Sequence, residues 1–179
     1  MEKSDKNKWV IDPAHSEIQF KAKHLLISTV TGKFEKFNAT VLSKEEDFSD
    51  AHVEFAADVN SINTGVSDRD NHLKSPDFFD ATNFPMATFK STGLKKKNDS
   101  EFILTGDLTI RGTTKPVTLE GAFGGVIKDP WGSMKAGFEL NGKINRKEFG
   151  LHWNAMTEAG GLVVGDEIKM LMNVELTKV

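Results

Sequence analysis

Apolar and polar side chains alternate at every second residue over much of this chain, and this pattern constrains the fold more than any other feature. Successive side chains of a β-strand point to opposite faces of the sheet, so each alternating stretch predicts a strand with one apolar and one polar face. Antiparallel sheets tolerate water on one face, so we expect an antiparallel sheet. The regular stretches are residues 17–24, 53–59, 102–110, 117–123, 136–144 and 168–176, and less regular ones at residues 33–42 and 86–93 bring the predicted strands to eight.

The predicted strands are long for a globular protein. The stretches at residues 102–110 and 168–176 would each span about 30 Å at roughly 3.3 Å per residue. Eight such strands can bury their apolar face by closing into a barrel, whose interior is filled by side chains or holds one small ligand. We therefore expect an all-β fold, an extended eight-stranded antiparallel barrel. The alternative is a two-sheet sandwich, which fills its core and leaves no cavity.

Turn and helix signals separate the strands. Residues 112–116 (GTTKP) predict a hairpin turn. The one helical signal lies at residues 67–75, where Ser67 offers an N-cap, Asp70 follows three residues later as in a capping box, and Pro76 prevents continuation. We therefore expect a single short helix in the barrel.

The chain shows no internal repeat and no shift of composition that marks a domain boundary. We expect residues 1–8 to form a disordered or extended tail and residues 9–179 to form one barrel domain. Residues 154–161 are polar and rich in glycine, which predicts a mobile loop.

Composition excludes several classes of function. Across 179 residues, 23 Lys and Arg stand against 26 Asp and Glu, for a formal net charge of −3, so there is no basic surplus to neutralise nucleic acid. The absence of Cys removes thiolate nucleophiles and thiolate metal ligands. No run of about 18 apolar residues and no apolar core of a secretory signal occurs. We therefore expect no stable membrane insertion and a cytoplasmic location, or a periplasmic one if a leader has been removed.

Two motifs suggest catalysis or phosphate binding but have simpler explanations. Asp12, His15 and Ser16 are the residue types of a hydrolase triad, but neighbours on an extended segment point to opposite faces, so we interpret them as a turn before the first long strand. Residues 137–143 fit the spacing G-x-x-x-x-G-K of a phosphate loop, but Ile144 replaces the required Ser or Thr and no helix follows. We interpret the glycines of this stretch as bends in the barrel wall.

Asp68, Asp70 and His72 suggest a metal site on the predicted helix. Arg69 lies among them and competes for the carboxylates, and acidic residues in a first turn also stabilise a helix N-terminus. The sequence contains no His-x-x-x-His or Glu-x-x-His motif for zinc. We therefore predict no metal site, no catalytic residue and no cofactor.

The apolar faces of the predicted strands supply candidate lining residues for a lumen. His24 follows the apolar positions of its strand, so it is either a satisfied core histidine or a lone polar contact for a ligand. Met170 and Met172 are either plain core or a deformable lining that adapts to irregular guests. The candidate ligand-binding residues on these faces are Phe20, Ala22, His24, Phe55, Phe89, Leu108, Leu119, Phe138, Met170 and Met172.

The order of motifs along the chain resembles that of the YceI-like family. The resemblance extends from Trp9 to Leu176 and is most specific at residues 61–80. The matching motifs are WVIDPAHSEIQF (9–20), KH (23–24), GKF (32–34), SINT (61–64), DRDNHLKSPDFFD (68–80), FP (84–85), FKS (89–91), TGDLTIRGTTKPV (105–117) and INRKEFG (144–150).

This resemblance implies a lipocalin-like barrel that binds a polyisoprenoid or similar long amphiphile, of the isoprenoid quinone or polyprenyl phosphate type, in its lumen. It implies a binding protein rather than an enzyme, and the pairing of two chains as a homodimer. Many members carry an export signal, whereas this chain is similar to the leaderless forms.

Three hypotheses for the function follow. The leading one is carriage, storage or stress protection of an isoprenoid or fatty lipid, with its tail in the lumen and its polar head near Arg69, His72 or Arg146 at the mouth. The two arginines also suit structural salt bridges, which is the role we favour. The second hypothesis is a barrel with a filled core that acts as a protein-interaction module. The third is an isomerase or hydrolase that uses His24 or His72 as acid or base.

Overall fold

Each predicted strand is present in a computed structural model of the chain, which describes residues 6–156 and 163–179. Of the helices that it describes, none is long and apolar enough to cross a membrane. The elements are β1 (Asn7–Ile11), β2 (Glu17–His24), β3 (Ser28–Phe34), β4 (Phe37–Ser43), β5 (His52–Asp58), β6 (Ile62–Asn63), α1 (Ser67–Lys74), β7 (Met86–Lys96), β8 (Glu101–Ile110), β9 (Thr113–Lys128), β10 (Met134–Asn145) and β11 (Val164–Lys178).

The eleven strands of the described residues make up the eight strands of a closed barrel. β1 and β2 are the two parts of one long strand, as are β3 and β4, and β5 and β6. The antiparallel meander closes because β1 also pairs with β11, at Trp9↔Lys178 and Ile11↔Leu176. The predicted eight-stranded antiparallel barrel is confirmed, and the sandwich is excluded because its two sheets would not join into one ring.

The three interrupted strands break side by side, in a crease that we define by residues 12–16, 35–36 and 59–61. Short 3₁₀ turns form the first and third breaks. Between the second and third breaks, the Lys36 amide donates a hydrogen bond to the Ser61 hydroxyl at 3.0 Å. The strands are therefore interrupted at the crease while polar backbone groups there keep hydrogen-bond partners.

The helix α1 lies within the predicted range, but its N-terminus is not the predicted capping box. Val66 occupies the N-cap position, and no side chain caps the helix there. The Asp70 carboxylate instead accepts hydrogen bonds from the amide and hydroxyl of Thr64, at 2.8 and 2.6 Å. The capping prediction for Ser67 and Asp70 is therefore wrong, because Asp70 serves to tie α1 to the end of β6.

The hairpin between β8 and β9 is tighter than predicted. It turns at Arg111 and Gly112 alone, with φ of 49° and 72°, and Thr113 already pairs with Ile110. Positive φ at both central residues matches the twist of the flanking strands, as in the two-residue hairpins that natural sheets prefer. The rest of the predicted turn therefore belongs to β9.

The ends of two predicted irregular segments fall partly outside the described residues. Asn7 and Lys8, which we assigned to the tail, belong to β1 and pair with β4. Residues 1–5 of that tail lie outside the described residues, as do residues 157–161 of the predicted loop.

Two apolar clusters make up the core of the barrel. One begins under α1, at what we call the helix end, with Phe78, Phe149 and Leu151, and extends along the barrel to Phe102 at the start of β8. The other lies under residues 44–51, at what we call the loop end, and includes Trp9 and Phe48. Phe55 and Phe138 pack against both clusters, so the two clusters meet inside the barrel, and residues of both surround the candidate site.

Candidate functional site

An apolar cavity of about 270 Å³ lies inside the barrel, and its walls include residues of both apolar clusters. The side of each strand that faces the cavity is the apolar side of the alternation, so the same pattern that builds the barrel also makes its lumen apolar. The predicted ligand-binding residues that line the cavity are Phe20, Ala22, Phe55, Phe89, Leu108, Leu119, Phe138, Met170, Met172 and Arg146.

The structure places one predicted lining residue, His24, outside the cavity. His24 is the last residue of β2, and its side chain is exposed to solvent. The alternation puts His24 on the same face as Ala22. Because the strand ends at His24 in a hairpin turn, its side chain is in contact with solvent, whereas Ala22 lines the cavity. The expectation that His24 lines the lumen is therefore corrected.

Inward-facing glycines shape the cavity wall, and the sequence pattern did not reveal this role. A Cβ atom added at Gly121 would overlap the ring of Phe102, which is directly opposite it on β8. The ring therefore lies against the wall in the space that a side chain would take, rather than across the lumen. The pairs are Phe20 on Gly32, Phe89 on Gly106, Phe102 on Gly121 and Leu119 on Gly142.

Residues 44–51 cover the loop end. Phe48 is 3% exposed and packs its ring 5.1 Å from that of Phe138 and 5.2 Å from that of Trp9, measured between centroids. The Asp50 carboxylate organises this loop by accepting hydrogen bonds from the Ser43 hydroxyl and from two backbone amides, at 2.7 to 3.1 Å. Burial alone would raise the pKa of Asp50, but these hydrogen bonds outweigh it and lower the pKa to about 2.

A salt bridge fixes the same loop to the wall. The Lys96 ammonium on β7 lies 2.9 Å from the Asp47 carboxylate. The hydrogen bond from Lys96 holds the pKa of Asp47 well below its usual range, and the same contact raises the pKa of Lys96. Both groups are partly exposed, so this contact adds little to stability and mainly positions the loop.

Arg146 lines the cavity, but its N–H groups are directed at backbone carbonyls. Its side chain is 3% exposed, and burial lowers the pKa of its guanidinium. It donates to Gly165 O at 2.9 Å, to Leu151 O at 2.7 Å and to Trp153 O at 2.9 Å, with a longer contact of 3.3 Å to Val164 O. These bonds join the segment after β10 to the start of β11, which favours the structural role over contact with a lipid head.

Arg69 and His72, the other candidate head contacts, also bond to protein groups. The Arg69 Nε and Nη2 atoms donate to the hydroxyl and carbonyl oxygens of Thr64, each at 2.7 Å. The His72 Nε2 atom lies 2.8 Å from the Asp77 carboxylate, and its ring packs edge-on against Trp153 at 4.6 Å between centroids. Neither side chain lines the cavity.

The polar motifs near the start of the chain form a charge cluster outside the lumen. His15 Nδ1 lies 2.8 Å from the Asp12 carboxylate, and the hydrogen bond between them lowers the pKa of Asp12 and raises that of His15. Lys135 lies 3.1 Å from the same carboxylate and 3.8 Å from that of Glu175. The Ser16 hydroxyl accepts a hydrogen bond from the Glu175 amide at 3.0 Å, so it does not meet His15 as a triad serine would.

The glycine-rich stretch at residues 137–143 is part of β10, as we interpreted it. The pairing with β9 shifts register between Gly137 and Phe138, opposite Gly125 at φ of 108°, which is a bend in the wall. Gly142 has the different role described above, because it lies beneath Leu119.

The comparisons with known proteins agree with this architecture. The family model of the YceI-like domain matches residues 9–176. The chain is 40% identical over 161 residues to Protein YceI of Salmonella newport, which covers 90% of this chain and 81% of that protein. The crystal structure of the Campylobacter jejuni YCEI protein is 34% identical with a TM-score of 0.75, and the match covers 88% of this chain and 90% of the other.

A more distant solved structure shares the fold. The polyisoprenoid binding domain from Saccharophagus degradans superposes with a TM-score of 0.71 at 14% identity, over 96% of this chain and 98% of that domain. Since the family model spans the whole barrel from β1 to β11 and the bacterial relatives match over most of their length, this chain is a member of the YceI-like family.

Proposed function

We propose that this protein binds a polyisoprenoid or similar long-chain amphipathic lipid in the barrel lumen, for carriage, storage or protection under stress. The apolar cavity inside the closed barrel is the observation that carries this proposal. Transfer of a lipid tail into the cavity is favoured by roughly 25 cal/mol per Å² of apolar area removed from water, offset by the ordering of the tail.

The size of the cavity bears on how the guest fits. About 270 Å³ equals roughly nine times the volume of a water molecule in the liquid, which is less than a long isoprenoid tail occupies. The thioethers of Met170 and Met172 and the rings that lie on glycines can shift, since they are not bonded to polar partners. We infer that the lumen widens along its length when the tail enters, as these side chains move.

The family and the fold support this proposal. The Saccharophagus domain that shares the barrel is described as polyisoprenoid-binding. The cavity argues against the filled-core interaction barrel, because a filled core has no such space. The positions of His24 and His72 outside the cavity give no support to an isomerase or hydrolase that works on a guest in the lumen.

Lipid recovered with the protein tests the proposal. The chain is purified without detergent, analysed by native mass spectrometry, and then extracted with solvent for lipid mass spectrometry. We expect a bound isoprenoid lipid or, after stripping, uptake of added isoprenoid quinone. The variant His24→Ala is the matched control and should take up the same amount, because its side chain lies outside the cavity.

Two results would contradict the proposal. Recovery of no lipid together with no uptake of quinone would favour the interaction module. Conversion of the added quinone to a product of different mass would favour the enzyme.

A further inference from the structure

The tip of the β2–β3 hairpin presents apolar side chains to water. Leu25, Leu26 and Ile27 are 37%, 67% and 85% exposed. Large aliphatic side chains in a hairpin turn usually pack against the body of the protein, and exposed apolar groups that adjoin one another mark interaction sites. The tip lies at the helix end, and its first residue, Leu25, comes three residues after the cavity-lining Ala22.

The backbone of this tip has a conformation that leucine rarely adopts in a turn. Leu25 and Leu26 have φ of 54° and 63°, the conformation that two-residue hairpins normally give to Asn-Gly. A bulky residue in this conformation is strained, and the exposed side chains gain little from packing in return. Residues that break a local rule without compensation are expected at functional positions.

A row of lysines lies on the outer face next to the tip. Lys143, Lys169 and Lys21 are directly opposite one another on β10, β11 and β2. Lys23 follows on the same outer face, two residues before the tip, and donates to a threonine hydroxyl rather than to a carboxylate. Like charges directly opposite one another destabilise a sheet, so this row also lacks a structural explanation.

Carboxylates offset only part of this charge. Glu167 lies 3.8 Å from Lys143. Among the described residues, Lys21 and Lys169 have no carboxylate within salt-bridge distance. The face is thus locally basic although the chain carries a net charge of −3.

We propose that the β2–β3 hairpin docks the barrel on an anionic phospholipid bilayer. Leu26 and Ile27 enter the interface, while the ammonium groups of Lys21, Lys23 and Lys169 lie against the lipid phosphates. This attachment is peripheral and reversible, because only a turn enters the bilayer. It would bring the helix end of the lumen next to the membrane, since Ala22 and Val164 line the cavity beside the tip.

The same charges argue against a second copy of the chain as the occupant. A symmetric contact that includes both the tip and the lysine row would bring the two rows close together, since both copies use the same patch. Their repulsion would oppose that contact, whereas an anionic surface attracts both rows. The bilayer is therefore the occupant that the charge favours.

Vesicle flotation tests this proposal, and it requires no ligand in the lumen. Lipid-stripped protein is floated with phosphatidylcholine vesicles that contain or lack phosphatidylglycerol. We expect binding only to the vesicles with phosphatidylglycerol, and the binding should weaken with salt because screening shortens the reach of exposed charges. If the protein does not bind vesicles, the proposal that the lumen takes up lipid is not affected.

Variants separate docking from folding. The triple variant Leu25→Asn, Leu26→Gly, Ile27→Thr gives the turn its usual residues. We expect its stability in urea to be unchanged or higher and its binding to vesicles to be at least about tenfold weaker. The double variant Lys21→Glu, Lys169→Glu should abolish the preference for phosphatidylglycerol. The matched controls are Trp131→Ser, an 88% exposed side chain in the β9–β10 turn, and Lys128→Glu beside it, and both should bind as the unaltered protein does.

Three outcomes would overturn the proposal. The first is equal or absent binding to both kinds of vesicle. The second is an equal loss of binding in Trp131→Ser, which would place the contact in the β9–β10 turn. The third is a triple variant that changes the oligomeric state by size-exclusion chromatography while vesicle binding stays the same, which would make the tip an interface between copies.

Discussion

At the scale of single residues, the shape of the lumen depends on where the wall has glycines. Gly121 lets the ring of Phe102 lie along the wall, and three other inward glycines accept a neighbouring side chain in the same way. A residue with a Cβ atom at such a position would push the ring toward the cavity. The wall is therefore built from pairs, in which one strand supplies a large apolar side chain and the next supplies the space for it.

This pairing predicts the effect of adding one methyl group. Gly121→Ala should lower the free energy of unfolding by about 1–3 kcal/mol, because the buried ring of Phe102 must leave its place. Urea denaturation measures the loss, and adding Phe102→Leu should recover part of it. The matched control is Gly137→Ala, where an added Cβ meets no atom within 4 Å. Equal effects at the two glycines would contradict the pairing.

Residue alternation was enough to predict which side chains line the cavity, as Phe20 and Met172 show. The face of a strand residue depends only on its parity in the alternation, which is visible in the sequence. The prediction failed for His24 because the exposure of a residue at a strand end depends on where the neighbouring strands stop. The alternation could not predict the glycine pairs, because they depend on the register between neighbouring strands, and the sequence of one strand does not contain that register.

At the scale of elements, the two ends of the barrel are closed by different devices. The helix end is covered by α1, which Asp70 ties to Thr64. The loop end is covered by residues 44–51, which Asp50 organises around the buried ring of Phe48. Both devices use an aspartate carboxylate that accepts backbone amide hydrogen bonds.

The pKa of Asp50 makes the loop end sensitive to acid. Its pKa falls from an ordinary 3.8 to about 2 in the folded chain, so the carboxylate stabilises the fold above about pH 4 and loses this effect as the pH falls toward 2. Asp50→Asn should therefore cost about 1–2 kcal/mol at pH 7, and the difference from the unaltered protein should shrink below pH 4. Urea denaturation at several pH values measures it.

The control for this prediction is another aspartate on the surface. Asp99→Asn, at an exposed position in the turn between β7 and β8, should change stability by less than about 0.5 kcal/mol. A difference for Asp50→Asn that stays constant from pH 7 to pH 3 would show that the loop does not depend on the charge of this carboxylate.

The elements themselves were predictable from sequence to different degrees. The eight barrel strands follow from alternation. The division of three of them at the crease does not, because short 3₁₀ turns such as Pro13–His15 interrupt a strand without ending it. The helix range was predictable from Pro76, whereas the partner of Asp70 was not. Thr64 competes for that carboxylate, and the capping-box pattern contains no information on residues before the helix.

At the scale of the whole molecule, the balance between packing and empty space decides the function. A core filled to normal density resists any added volume, while a lumen accepts it and loses capacity for a guest. The cavity provides the second situation, and buried positions that do not line it, such as Ala136, provide the first.

A larger side chain at Met170 distinguishes the two situations. Met170→Trp should reduce stability by less than about 1.5 kcal/mol, because Met170 faces free volume, and should reduce uptake of isoprenoid quinone at least tenfold. Urea denaturation and quinone titration measure the two effects. The control Ala136→Leu enlarges a residue that is 1% exposed and does not line the cavity, so it should cost about 1–3 kcal/mol. Uptake unaffected by Met170→Trp would remove this residue from the binding site.

Closure of the ring between β1 and β11 affects how the protein can be made. Ile11 meets Leu176 only after β11 has left the ribosome. Until then the nascent sheet has two unpaired edges and an exposed apolar face, and both features favour aggregation. β11 thus closes the ring, and its pairing with β10 on one side and with β1 and β2 on the other removes both edges in one step.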